Sequence, residues 1–248
     1  DLAKAMVEAV RSSEVAPGVL SEADLAGYQA KWRTPLCQTY RGNKVCGMGP
    51  PSSGTTTINQ TLALLAPFPM GELAVNSDQA IHVMSQAWRL AIADRGRYIA
   101  DPDFVKIPSQ GLFSPEYLNK RHQQIPAYHD MGKASAGVLS GLDVGRDNAL
   151  ERPNTSHFSI VDSFGNALSM TTSIEMAFGS AVMVNGFLLN NQLTDFSLSP
   201  MDNGRLVTNR VEPNKRPRSS MAPTMVFGEN GDLKWVLGSP GGSRIFNY

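Results

Sequence analysis

Pro153-Asn154-Thr155-Ser156-His157-Phe158-Ser159-Ile160-Val161-Asp162 is the stretch that decides the fold. A proline-led loop ends in a small polar cluster, and a β-type run follows in which Phe158 and Ile160 alternate with His157, Ser159 and Val161. Asp162-Ser163-Phe164-Gly165-Asn166 reads as a turn and Ala167 to Ile174 as a second strand. Thr155 therefore stands at the head of a strand, where a loop delivers it. A hydroxyl there is fixed by the sheet yet open at one end, as a nucleophile needs. Threonine at a strand start is also commonplace, so the rest of the chain must decide.

Outward from that stretch the texture differs on the two sides. Before it, Leu2, Met6 and Val10 share one face of a first helix, and Ser21 with Asp24 forms a capping-box-like start to a second, with Leu25 and Tyr28 as its buried face. Cys37 to Met48 reads as a hairpin turning at Tyr40-Arg41-Gly42-Asn43-Lys44. Gly49-Pro50-Pro51-Ser52-Ser53-Gly54 leads into a helix carrying Ile58, Leu62 and Leu65, and either presents hydroxyls and amides to a ligand or only starts the helix. The longest helix runs from Ser77 to Gly96, with Ile81, Met84, Trp88 and Ile92 at helical spacing and expected in the core. Ser114-Pro115 starts another helix with an N-cap and proline at its first position. His82 and His129 read as structural or surface residues. Met131 to Arg152 is rich in Gly, Ala and Ser without periodicity and reads as a flexible connector. After Thr155 come strands at 157–161, 167–174, 186–190, 224–228 and 232–237, with a long polar loop from Asp195 to Pro213. Helices first and strands later, without β-α-β alternation, point to an α+β fold. No repeat and no phosphate-binding glycine motif occurs.

Composition bounds the function. The 248 residues are 42% hydrophobic and 18% charged, enough for a real core in one large domain or two small ones. Formal net charge is zero, which removes any global electrostatic argument for nucleic acid or an anionic membrane. No apolar run approaches the ~20 residues of a membrane helix, and no signal peptide is visible; both ends read as cut. The 2 cysteines, Cys37 and Cys46, flank the hairpin turn. In a two-residue hairpin they are expected diagonal to one another, so two structural thiols are as good a reading as a disulfide. They and the 4 scattered histidines offer no metal-ligand spacing.

Four polar clusters in the second half exceed what a core needs: Thr155-Ser156-His157; Thr171-Thr172-Ser173-Ile174-Glu175; Asn190-Asn191-Gln192-Leu193-Thr194-Asp195; and Pro213 to Ser220 paired with Gly238 to Arg244. Each has a bland alternative as a strand end, a cap or a tight turn. Jointly they fit one job. Gly241 and Gly242 let backbone N–H groups approach a carbonyl oxygen as an oxyanion hole. Glu175, Gln192 and Asp195 suit a ligand ammonium, Ser219 and Ser220 a carboxylate, and the Thr155 hydroxyl an attack on an amide. A His157-based triad lacks a placed acid. An N-terminal amine is the other established base for threonine, with a reference pKa of ~7.7–8.0; it requires the Asn154–Thr155 bond to be broken.

In order and spacing, TSHFSIVD, GNALSMTTSIEMAFGS, GFLLNNQLTDFS, PNKRPRSSMAPT and GSPGGSRI resemble the γ-glutamyltranspeptidases, and upstream GPPSSG and ADRGRYIADPDFVKIP do so too. The resemblance covers essentially the whole chain. It implies an N-terminal-nucleophile hydrolase with a four-layered αββα core, present as a fragment, and a precursor that cuts itself between Asn154 and Thr155. Residues 1–154 would then be the C-terminal part of the large subunit and 155–248 the N-terminal part of the small one, together one fold. Thr155 would be cleavage residue and nucleophile, and Ser173 the hydroxyl that hydrogen-bonds it. Glu175, Gln192 and Asp195 would hold the substrate α-amino group, Ser219 and Ser220 its α-carboxylate, and Gly241 and Gly242 the oxyanion. The family's carboxylate-clamping arginine falls before Asp1, and Ser197 to Arg210 matches a substrate-covering lid without its aromatic residue. The implied activity is γ-glutamyl transfer and hydrolysis, from glutathione-type amides to water, amino acids or peptides, with no cofactor, no metal and no nucleic-acid partner, in the periplasm or outside the cell. A cephalosporin or glutaryl acylase on the same machinery is the enzymatic alternative; an uncut, inactive binding protein is the non-enzymatic one.

Overall fold

In the computed structural model the described residues are 1–150 and 154–247. Pro153, the Glu151-Arg152 end of the connector and Tyr248 lie outside them. Helix α1 spans Leu2–Arg11, with the Asp1 carboxylate accepting from Ala3 N at 3.1 Å. Helix α2, Glu22–Gly27, has the full capping box: Ser21 N donates to Asp24 Oδ2 at 2.8 Å and Asp24 N to Ser21 Oγ at 3.2 Å. Tyr28 is not on a buried face, being 69% exposed with its ring under the Arg216 guanidinium.

Strands β1 (Leu36–Tyr40) and β2 (Asn43–Gly47) turn at Arg41-Gly42, both at positive φ (48° and 76°), the signature of a type I′ turn. That turn pairs Tyr40 with Asn43, and counting back along the ladder sets Cys37 directly opposite Cys46. The two are joined in a disulfide. The expected diagonal offset was a miscount of the ladder, and with it goes the case for free thiols.

Helices α3 (Gly54–Leu65), α4 (Asp78–Tyr98), α5 (Ser109–Leu112) and α6 (Pro115–His122) follow. Ser77 caps α4 and Ser114 caps α6, each accepting from a backbone N–H three residues on. The core face of α4 is not the bulky stripe. Ile81 is 51% exposed and Met84 and Ile92 are also exposed, whereas Val83, Ala87, Leu90, Ala91 and Asp94 are buried. Alanines at 87 and 91 let α3 come close, so Leu64 and Leu65 pack with Val83, Ala87, Leu90 and Ile125. Trp88 stacks instead on Phe246, centroids 5.6 Å apart.

The connector after Met131 is irregular but anchored. Gly137 N donates to Asp94 Oδ1 at 2.8 Å, Tyr98 Oη to Gly137 O at 2.6 Å, and Leu139, Leu142 and Val144 pack on Tyr98, Ile99, Leu112 and Tyr117. Asp94 also accepts from Gln60 at 2.7 Å and pairs with buried Arg121 at 3.0 Å. Burial pushes the Asp94 carboxyl above its usual range, against the pull of the Arg121 charge. Backbone polar groups met by a buried carboxylate order a segment that composition alone marks as loose.

Beyond Asn154 come β3 (Ser156–Val161), β4 (Ala167–Thr172), β5 (Met183–Val184), β6 (Phe187–Leu188), β7 (Met201–Asp202), β8 (Arg205–Leu206), β9 (Thr224–Phe227) and β10 (Leu233–Leu237). The β7–β8 hairpin lies inside the expected polar loop. One sheet runs β1-β2-β9-β10, all antiparallel. Its β2–β9 ladder joins residues on opposite sides of Asn154 in sequence. The β3–β4 hairpin packs against β10, with Ser169 Oγ donating to Leu237 O at 2.8 Å and accepting from Thr224 N at 3.2 Å. This α+β arrangement places Thr155 immediately before β3, at the head of that hairpin. Among the described residues no helix is long and apolar enough to cross a membrane.

Candidate active site

One pocket gathers Asn154, Thr155, Ser173, Glu175, Gln192 and Asp195 with Ser219, Ser220 and Gly242. At its centre the Thr155 hydroxyl donates to the Asn154 carbonyl oxygen at 2.5 Å and lies 3.4 Å from Ser173 Oγ. Ser173 Oγ accepts from Glu175 N at 2.9 Å and donates to the same carbonyl at 3.0 Å. The Glu175 N–H thus directs the Ser173 proton onto the Asn154 carbonyl, polarising it beside a hydroxyl nucleophile.

Past Ser173 the chain leaves β4 and bends sharply. Glu175 takes φ 71°, a conformation costly for a residue with a Cβ. The bend is held by Asn191, which donates its N–H to Ile174 O at 3.3 Å and accepts from Met176 N on its side chain at 3.0 Å. It turns the Glu175 carboxylate inward, to 4% exposure, and neither oxygen has a hydrogen-bond partner among the described residues. The same asparagine run starts a 3-10 turn, Gln192–Asp195, with Gln192 N bonded to Asn190 Oδ1 at 3.0 Å. That turn carries Gln192 and Asp195, which line the pocket together with Glu175.

Ser219 and Ser220 come from a loop clamped by the Pro51-Ser52-Ser53 turn. Ser219 N donates to Pro51 O at 3.1 Å, Ser53 N and Oγ both donate to Ser219 O, at 2.8 and 2.7 Å, and Ser52 Oγ bonds Met221 O. The hydroxyls of that turn therefore grip a neighbouring loop rather than a ligand. Gly241 and Gly242 have φ of 124° and 56°, open to glycine, and lead into a 3-10 turn over Gly242–Asn247. Gly242 lines the pocket and Gly241 does not.

His157 takes no part. Its Nδ1 lies 2.8 Å from Thr171 Oγ1 and its Nε2 3.1 Å from Ser159 Oγ, and burial lowers its pKa. The segment matching a lid, 197–210, lines no part of the pocket. It packs on the connector through Gly145 N to Leu206 O and Arg146 N to Asp202 Oδ2, both 2.9 Å. Sequence reading missed Arg218, which lines the pocket, is buried, and pairs with Asp147 at 2.8 Å. Arg218 lies inside the 213–220 polar cluster singled out in the sequence, but only Ser219 and Ser220 were given a role there.

A strand-head threonine and a hydroxyl relay to the preceding carbonyl, set in an α+β fold, are the marks of an N-terminal-nucleophile hydrolase. The whole chain, residues 1–248, matches the family model described as Gamma-glutamyltranspeptidase, and the protein belongs to that family. It is 41% identical over 237 residues to a "Glutathione hydrolase proenzyme" of Escherichia coli (strain K12), covering 92% of this chain and 39% of that protein. It is 36% identical over 231 residues to the "Acylase ACY 1 proenzyme" of Pseudomonas sp. (strain SE83), covering 92% and 38%. A cephalosporin acylase from Bacillus halodurans shares the fold, with TM-score 0.76 at 23% identity over 99% of this chain and 41% of that one. The chain thus spans about two fifths of the length of these relatives.

Proposed function

We propose that this chain is the central part of a self-cleaving γ-glutamyltranspeptidase precursor, spanning the end of its large subunit (residues 1–154) and the start of its small one (155–248). The observation that carries the substrate class is Glu175. A buried carboxylate without a partner is costly, and a cation supplied by the ligand removes that cost. An α-ammonium at Glu175, Gln192 and Asp195 and an α-carboxylate at Ser219 and Ser220 describe an amino-acid end group. The carbonyl to be attacked then lies toward Thr155, which is the layout of a γ-glutamyl amide.

Maturation comes first. Thr155 Oγ1 attacks the Asn154 carbonyl carbon, with Ser173 donating to its oxygen. The peptide C–N bond breaks, which frees the Thr155 α-amine as the Asn154 acyl group passes to an ester on Thr155 Oγ1, and water hydrolyses that ester to the Asn154 carboxylate and restores the Thr155 hydroxyl. That amine is the general base of the second stage. It takes the Thr155 hydroxyl proton as Oγ1 attacks the γ-carbonyl, and passes it to the leaving amine. The Gly241–Gly242 backbone stabilises the oxyanion. Water or an amino acid or peptide then takes the γ-glutamyl group from the ester. Relatives named as proenzymes support the precursor reading. The Cys37–Cys46 disulfide supports a periplasmic or secreted location.

Intact mass of the full-length protein tests the first stage. Two species meeting at 154/155 are expected, and one species after Thr155→Ala; a single uncut, inactive wild-type species would favour a binding protein instead. The acylase reading is favoured by the Pseudomonas relative and by a pocket without lid contacts. A glutaryl group, however, lacks the ammonium and would leave Glu175 buried and unpaired. Faster turnover of γ-glutamyl than of glutaryl p-nitroanilide is therefore expected, and the reverse order would establish the acylase.

A further inference from the structure

Asn209 is fully buried and lines no part of the pocket, yet its side chain bonds two separate stretches that do. Its Nδ2 donates to the Asp195 carbonyl oxygen at 2.8 Å, at the end of the 3-10 turn that carries Gln192. Its Oδ1 accepts from Arg218 N at 2.9 Å, one residue before Ser219. The other Nδ2 proton goes to Asp147 Oδ2 at 2.8 Å. Two acceptors face the amide nitrogen and a backbone donor faces the oxygen, so a single orientation of the amide satisfies all three.

The asparagine is itself held. Its own carbonyl accepts from Ser197 N at 2.9 Å. Next to it, Thr208 Oγ1 donates to Arg97 O on α4 at 2.9 Å, and the buried Lys215 Nζ donates to Thr208 O at 2.7 Å. A short buried amide fixed at its backbone sets one separation between the stretches it joins. That separation matters to one kind of ligand. In an α-amino acid the ammonium and the carboxylate share a carbon, so both are met only where the groups receiving them stand a fixed distance apart. A ligand with one of the two charges makes no such demand.

Resting on the functional reading above, we propose that Asn209 is a positioning residue that fixes the spacing between the ammonium and carboxylate partners, and so makes the site select acyl groups that carry both charges on one carbon. It acts through the backbone of Asp195 and Arg218 and touches no substrate. It has no part in scission at 154–155, which uses Thr155 and Ser173.

The test compares full-length wild type and Asn209→Ala on three p-nitroanilides: γ-glutamyl, with both charges; glutaryl, without the ammonium; and 4-aminobutyryl, without the carboxylate. Asn209→Ala is expected to raise KM for the γ-glutamyl compound about tenfold with kcat within about threefold, and to leave kcat/KM for the one-charge compounds within about threefold. Where a one-charge compound turns over too slowly, its Ki against the γ-glutamyl compound is read instead. Cleavage at 154/155 should keep its wild-type rate. An equal loss on all three compounds, or a γ-glutamyl KM that does not move, would overturn the proposal. Should Asn209→Ala fail to mature, Asn209→Ser, which keeps a hydroxyl at that position, is measured in its place; if that variant also stays uncut, Asn209 serves the fold alone and the proposal falls. A wild type that is uncut, inert toward all three compounds or faster on glutaryl would instead sink the functional reading.

Discussion

Glu175 holds a left-handed backbone and a buried carboxylate at one position, two costs that stability alone does not explain. Glu175→Gln is expected to raise KM for γ-glutamyl p-nitroanilide by about 10–100-fold while leaving thermal stability unchanged or higher, because it removes a buried charge along with the ammonium's partner. Calorimetry beside steady-state kinetics would check both halves. Ser173→Ala is expected to slow the appearance of the 155 N-terminus on a gel time course, since the Asn154 carbonyl loses its 3.0 Å donor; unchanged maturation would make that hydroxyl dispensable. Their gathering was legible in the sequence: Thr155, Ser173, Glu175, Gln192, Asp195, Ser219, Ser220 and Gly242 line one pocket although they come from distant stretches. What sequence did not reveal was direction. Nothing local says that Ser52 and Ser53 point at a neighbouring loop, or that Arg95 and Arg218, each able to sit in solvent, are buried instead.

Among the elements, the β3–β4 hairpin is placed by a close approach. A Cβ on Gly238 would stand 2.0 Å from His157 Cε1, and that ring is held by Thr171 and Ser159, so it cannot swing aside cheaply. Gly238→Ala is therefore expected to destabilise the protein by about 1–3 kcal/mol, measured by urea unfolding. Slower maturation should accompany it, as Thr155 heads the displaced hairpin. Element boundaries followed from caps: Ser21 with Asp24, Ser77 and Ser114 each start a helix where expected. The face of α4 did not follow, because two stripes compete on it. Bulk favoured Ile81, Met84 and Ile92; close approach of α3 favoured the slimmer Val83-Ala87-Leu90-Asp94 stripe, and proximity won. The hairpin cysteines were likewise misjudged by a ladder count rather than by chemistry.

At the scale of the whole molecule, Asp94 ties α3, α4, α6 and the connector into one body through Gln60, Arg121 and Gly137. Arg121→Met leaves that carboxylate buried without its counter-charge, and a loss of about 3–5 kcal/mol at neutral pH is expected. The sign with pH follows from the raised Asp94 pKa. A carboxyl raised on folding opposes folding above its folded pKa and ceases to do so once protonated. The variant's deficit should therefore shrink as the pH falls through that value, as unfolding curves at a series of pH values would show. This anchoring was invisible in a Gly-, Ala- and Ser-rich connector, whose order comes from backbone groups that carry no sequence signature.

The β2–β9 ladder has a kinetic consequence. Lys44 to Gly47 pair with Thr224 to Phe227, so the sheet closes only when chain from both sides of residue 154 has come together. Thr155 heads the β3–β4 hairpin, which is fastened to that closed sheet through Ser169. If the 154–155 bond is opened as proposed, the event reports that folding has finished, and its rate should be first order and indifferent to dilution. The two pieces would part no more readily than a sheet is pulled in half: scission would change the number of chain ends without changing the number of bodies.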